Sequence, residues 1–316
     1  MGKPRAGEST LTGSTSLVRS LFLGSYGLRS GWRLILFLAV FVGAQYALDK
    51  MIVRQLVAHG IIQPITNGIL TPAAVLAEDG VDLIGLLVAA SLMGKIEHRR
   101  PGVYGLPWSG AFRSWFWKGT LLGLGTVSAI ILVLWISRAY SLGPLALAPA
   151  RLPGFTAVWI LVIFLAALAE EFTFRGYAQF TLTDGLGFWP ATLLTSAVFG
   201  VSHMGNPGDV WPGVLAVFLF GVFQCMTLRR TGNLWFAVGM HAAFNFGEAF
   251  VYSVKDSGFE IEGHLFNSSM HGPKWLTGGP FGPEGSVPAL LIVLVLLAAL
   301  AAPGARKDRQ ITGQSG

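Results

Sequence analysis

The sequence predicts an all-α, polytopic membrane protein of about eight transmembrane helices, with a polar site buried in the helix bundle. Three observations carry this. Apolar residues make up 53% of the 316 positions and charged residues 12%, with a mean hydropathy of +0.59, too apolar for an ordinary soluble domain of this size. Eight apolar windows approach the roughly 20 helical residues that cross about 30 Å of hydrocarbon. Finally, lysine and arginine are shared unequally between alternate connections, as they are when short cytoplasmic loops retain positive charge.

In chain order, the first 31 residues are polar and rich in Gly, Ser and Arg, without a long apolar core followed by a small-residue cleavage site. No removable signal peptide is expected, so the first span serves as the insertion signal. Spans are expected near 33–55, 70–94, 116–138, 154–182, 188–204, 210–228, 233–254 and 286–303. Between the second and third, "HRRPGVYGLPW" (His98 to Trp108) combines turn residues with aromatics and reads as an interfacial connection. Residues 255–285, containing "GGPFGPEGS", predict an irregular outer loop, and the tail from Arg306 reads as disordered. The chain thus divides into a polar N-terminal segment with three accessory helices (1–150), a helical core (151–254), and an outer loop, last helix and tail (255–316).

With the N-terminus inside, the inner segments hold Lys3, Arg5, Arg19, Arg29, Arg33, Lys95, Arg99, Arg100, Arg113, Lys118, Arg229, Arg230, Arg306, Lys307 and Arg309, fifteen of the 22 basic residues. Lys50, Arg54, Arg138, Arg151, Lys255 and Lys274 fall outside, and Arg175 alone lies well within a span. Both termini are therefore expected in the cytoplasm. The net charge of +6 belongs to these short clusters rather than to one soluble face, so no nucleic-acid partner is expected. The single cysteine, Cys225, gives neither an internal disulfide nor a CxxC metal site, and its setting is that of an inert small hydrophobe.

Ionisable groups inside spans are costly and face a protein interior or a water-filled cavity. In "AEEFTFR", Glu171 and Arg175 stand at i,i+4 with the acid N-terminal, the better orientation on a helix. Glu170 is left without a partner. A carboxylate so placed suits a general base, whereas a buried ion cluster locking helices together is the structural alternative. "FGVSHMGNPG" places His203 near the end of the fifth window, and "HAAFN" places His241 and Asn245 on one helix face. Each alone is explained by ordinary hydrogen bonding between helices. Counted from the helix ends at about 1.5 Å per residue, however, Glu170, His203 and His241 reach compatible depths. A carboxylate, two histidines and an asparagine around one cavity have the parts for water activation and oxyanion stabilisation.

"EEFTFR", "FGVSH" and "HAAFN" match EExxxR, FxxxH and HxxxN, in that order and on separate membrane helices. Together with their flanks they resemble the CPBP family of intramembrane proteases, which includes the CAAX prenyl endopeptidases and Abi-like immunity proteins, over roughly residues 150–254. The resemblance implies hydrolysis of a peptide bond within the membrane, reached from the cytoplasmic side or laterally from lipid. Glu170 and His203 would activate water, His241 and Asn245 would stabilise the oxyanion, and Glu171 and Arg175 would brace the site. Zinc is the one cofactor left open, with Glu170, His203 and His241 as its ligands, although no HExxH is present and the reading leans toward no obligatory metal. The expected partners are the lipid bilayer, that of a bacterial plasma membrane, and a peptide or protein substrate, lipidated or not.

Two rivals stand beside the protease: a non-proteolytic immunity or scaffolding protein of the same fold, and an ion-coupled transporter using Glu78, Asp79 and Asp82 with Glu170. A glycine and three acids within "AEDGVD" favour placing these acids in an outer loop, with the second span starting later. Glu248, one turn past Asn245, either extends the polar site or bonds locally.

Overall fold

Thr71 and Pro72 illustrate how local chemistry sets the helix boundaries. The Thr71 hydroxyl accepts the Ala74 N–H, and Pro72 fills a first-turn position that lacks an internal hydrogen bond anyway. The second helix consequently begins earlier than the acids of "AEDGVD". Glu78, Asp79 and Asp82 lie inside it, which corrects the outer-loop expectation. Asp82 accepts a hydrogen bond from Gln45 of the first helix (2.6 Å), and Glu78 and Asp79 face a central cavity, so the acids have polar surroundings without leaving the bundle.

The computed structural model describes residues 21–24, 27–100, 102–208 and 211–302; the N-terminal segment to residue 20 and the tail from Arg306 lie outside the described residues. Every expected window is helical: α1 (Ser30–Ala58), α2 (Pro72–Ile96), α3 (Ser114–Ile136), α4 (Pro149–Leu186), α5 (Phe188–Ser202), α6 (Trp211–Thr231), α7 (Trp235–Asn245) and α8 (Val287–Ala301). By length and composition α1, α3, α4 and α6 are each able to cross a membrane, and α5 and α8 are shorter apolar helices. The protein is an all-α polytopic membrane protein.

The closest helix crossing joins α3 to α7. A Cβ on Gly119 would lie 2.0 Å from the Phe236 carbonyl oxygen, and one on Gly123 2.2 Å from that of Met240. In the reverse sense, a Cβ on Gly239 would lie 2.3 Å from the Phe116 carbonyl oxygen. Small residues let two backbones touch where lipid offers no hydrophobic drive for association. This contact fixes the height and rotation of α7, which carries His241.

Polar ties close both ends. At the inner end, Arg33 of α1 pairs with Glu97 (3.1 Å) and with Asp184 of α4 (3.2 Å), and Arg99 pairs with Asp184 (2.9 Å) and Glu97 (3.2 Å). The Tyr177 hydroxyl donates to Glu97, and the Trp235 indole donates to the Pro107 carbonyl. The connection 97–113 is thereby held to both α4 and α7.

At the outer end, residues 252–286 are more ordered than an irregular loop. Glu260–Ile261 pairs in parallel with Ile69–Leu70, and Ser269–Met270 pairs antiparallel with Tyr140–Ser141. Buried main-chain groups need partners, and these short ladders supply them. Gly258 adopts φ +90°, and a Cβ there would lie 2.0 Å from the Pro207 carbonyl oxygen, so the loop rests backbone-to-backbone on the α5–α6 connection.

Gly123→Ala should therefore lower stability by about 1–3 kcal/mol through overpacking. Gly43→Ala in α1, where an added Cβ meets nothing within 4 Å, should be neutral or mildly stabilising. Thermal unfolding of the two variants in detergent micelles compares them.

Candidate active site

Glu170 and Glu171 end the α-helical part of α4, Leu152–Glu171, and the chain then widens into a π turn, Phe172–Tyr177, that contains Arg175. Gly176 within it departs from helical geometry (φ −81°, ψ −114°), so α4 kinks there; π turns recur at functional sites. Glu171 and Arg175 are completely buried, with Arg175 Nη1 donating to Glu171 Oε1 at 3.3 Å. The same oxygen accepts the Nδ1–H of His241 at 2.9 Å. This fixes the ring so that its Nε2 faces Glu170 Oε2 at 3.8 Å. Glu170 Oε2 has no hydrogen-bond partner, and the Glu170 side chain is 39% exposed, toward the cavity. Glu171 is thus engaged with both Arg175 and His241, whereas Glu170 Oε2 accepts no hydrogen bond.

His203 caps the C-terminal end of α5, where its Nδ1–H donates to the Phe199 carbonyl at 2.8 Å and leaves Nε2 available. Phe199 is the hub of this wall. The Arg175 guanidinium lies 4.0 Å from its ring centroid, and the rings of His203 and His241 meet it edge-on at 4.9 and 6.4 Å. It is the phenylalanine of the FxxxH spacing, and its position gives that spacing a physical meaning. Asn245, four residues after His241, completes the same face of α7.

Glu170, His203, His241 and Asn245 all line one cavity of about 410 Å³. Its wall also holds Glu78 and Asp79 of α2, the acids that the transporter reading sets beside Glu170, together with Asn206 beyond α5 and Asp256 and Glu284 of the outer loop, which the sequence did not single out. Among the described residues no lysine or arginine lines it, so the described wall is acidic. Glu248 is fully buried outside that wall, and Cys225 packs near Gln179 and Thr195, also outside it.

The cavity reaches residues 65, 206, 256–259 and 284, all on the loop side that the basic-residue count assigns outside.

Two imidazole nitrogens and a carboxylate are donor types that suit zinc. Glu170, His203 and His241 nevertheless do not bring three ligand atoms within 4.8 Å of one another; among the described residues only Glu248, Asp256 and Glu284 do so. As placed, the expected trio does not form a zinc shell.

The membrane helix bundle thus encloses paired glutamates, two histidines and an asparagine around one cavity. Residues 152–247, from α4 to α7, are similar to the family of type II CAAX prenyl endopeptidase Rce1-like proteins. Members of that family are generally peptidases. The uncharacterized protein YyaK of Bacillus subtilis (strain 168) is 31% identical over 130 residues, which is 37% of this chain and 42% of that protein. The chain thus matches less than half the length of this curated relative.

Arg175→Ala should cost about 3–5 kcal/mol, because it leaves the Glu171 charge buried with only His241 beside it. Replacing the pair together, as Glu171→Leu with Arg175→Met, should cost less than Arg175→Ala alone, and denaturant titration in micelles measures the difference.

Proposed function

We propose that the protein is an intramembrane endopeptidase of CAAX type, in which Glu170 is the general base. The observation that carries this reading is the approach of His241 Nε2 to an unpartnered Glu170 oxygen, inside a cavity that His203 and Asn245 also line. Glu170, assisted by His203 Nε2, takes a proton from water as the hydroxide oxygen adds to the scissile carbonyl carbon. The resulting oxyanion receives hydrogen bonds from the Asn245 amide and from Nε2–H of protonated His241, whose Nδ1–H stays on Glu171. Collapse of the tetrahedral intermediate breaks the C–N bond, and the amine leaves with the proton that Glu170 had taken. Arg175 acts only through Glu171. No step requires a metal. The substrate is a membrane-embedded or lipidated peptide, and the protein resides in a bacterial plasma membrane.

Ion-coupled transport remains a second reading because Glu78 and Asp79 share the cavity with Glu170. Asp79→Asn separates the two: loss of ion flux with peptide cleavage intact favours transport, whereas unchanged flux favours the protease.

Purified protein assayed on a prenylated CAAX peptide beside unmodified membrane peptides tests the mechanism. Glu170→Gln should lower cleavage about 10²–10⁴-fold, and Asn245→Ala about 10²–10³-fold. Full activity in Glu170→Gln overturns the assignment. A zinc chelator should leave the rate unchanged, with no stoichiometric zinc in the purified protein; loss of activity on chelation would restore a metal mechanism.

A further inference from the structure

We propose that Glu248, Asp256 and Glu284 bind one Ca²⁺-class divalent cation at the outer-loop margin of the cavity. The three carboxylates come from the π turn after α7 (Phe246–Val251), the outer loop, and the single turn that precedes α8. One oxygen from each lies within 4.8 Å of the others. Opposite ligands across a calcium ion, with bonds of about 2.4 Å, stand at about that separation.

The hydrogen bonding leaves oxygens available for such an ion. Glu248 Oε1 accepts the Glu284 N–H (3.2 Å), whereas Glu248 Oε2 is fully buried without a partner. Glu284 Oε1 accepts both the N–H and the hydroxyl of Ser257 (2.7 and 2.6 Å), which leaves Oε2 uncommitted. No hydrogen bond reaches the Asp256 carboxylate among the described residues, and none of the three acids is ion-paired with a lysine or arginine. Lys255, next in sequence to Asp256, is engaged with Glu260 at 3.5 Å.

A buried, partnerless carboxylate oxygen facing two other carboxylates is expensive unless a proton or a cation joins it. The low-dielectric surroundings, and then its acidic neighbours, already push the Asp256 carboxyl well above the usual carboxylate range. An all-oxygen donor set selects a hard cation over zinc or copper. This site is distinct from the Glu170, His203 and His241 group, and it stands whether or not the protein cleaves peptides. A bound cation would clamp the π turn to the outer loop and to the start of α8, closing the rim of the cavity.

The test is Tb³⁺ luminescence from the full chain in detergent micelles, excited through Trp159, which lines the same cavity. A single saturable site that Ca²⁺ displaces is expected. Glu248→Gln and Asp256→Asn should each weaken Tb³⁺ binding about tenfold or more, since ligand charge count sets affinity in such sites. Glu170→Gln should weaken binding much less than either trio variant, because its carboxylate lies outside the trio and acts on Asp256 only through its charge. Ca²⁺ should also raise the unfolding temperature of the wild type and not that of Glu248→Gln. If one variant does not purify as a folded species, the other carries the test. The proposal is overturned by the absence of a saturable signal, by equal Tb³⁺ affinity in the wild type and both trio variants, or by an equal loss in Glu170→Gln, which would indicate only diffuse attraction to an acidic cavity.

Discussion

One carboxylate oxygen, Glu171 Oε1, holds the centre of the molecule together. It accepts hydrogen bonds from Arg175 on its own helix and from His241 on α7, at a point with no solvent. In low dielectric each of these bonds is strong, and losing either donor is costly. The orientation of His241, the stacking of Arg175 on Phe199, and through Phe199 the placement of His203 all follow from it. Glu170 gains its freedom from the same arrangement, since its neighbour takes the available donors.

Around that centre the bundle uses two kinds of contact. The α3–α7 crossing is steric: three glycines let main chains meet, so the height of His241 does not depend on side-chain rotamers. The closures at the two ends are polar: ion pairs at the inner end and short ladders with a left-handed glycine at the outer end. Two of the three accessory helices belong to the site in this scheme. α2 contributes Glu78 and Asp79 to its wall, and α3 is the surface against which α7 is set.

Most of the architecture was legible in the sequence because length and hydropathy are strong signals in a membrane. All eight windows are helical, with ends displaced by a few residues. Glu170, His203 and His241 could be grouped from compatible helical depth, and Asn245 from its i,i+4 spacing to His241, since rise per residue is nearly constant. Other features depended on information the linear pattern does not contain. "AEDGVD" has loop-like composition, and only the cavity beside Glu78 and Asp79 and the Gln45 amide bonded to Asp82 account for those acids within a helix. Asp256 and Glu284 sit in a Gly- and Pro-rich stretch, where neither period nor motif marks a residue, and long-range pairing with residues 69–70 and 140–141 brings the stretch over the cavity. Glu248 follows Asn245 at a spacing that in an α-helix would continue the His241–Asn245 stripe. The wider turn after Asn245 carries it instead to Asp256 and Glu284.

The two π turns in the core, Phe172–Tyr177 and Phe246–Val251, have a consequence for how this fold diversifies. Each accommodates one residue more than an α turn, and one residue is about 100° of helical phase. The segments of α4 before and after its π turn therefore present faces that a straight helix would not align: Glu170 toward the cavity, and Gln179 toward the polar cluster of Thr192 and Thr195. The upstream face is free to change with the chemistry of the cavity while the downstream face keeps its packing register. A single-residue deletion within either turn acts as a rotary adjustment, swinging one set of side chains past the other while the main-chain hydrogen bonds re-form.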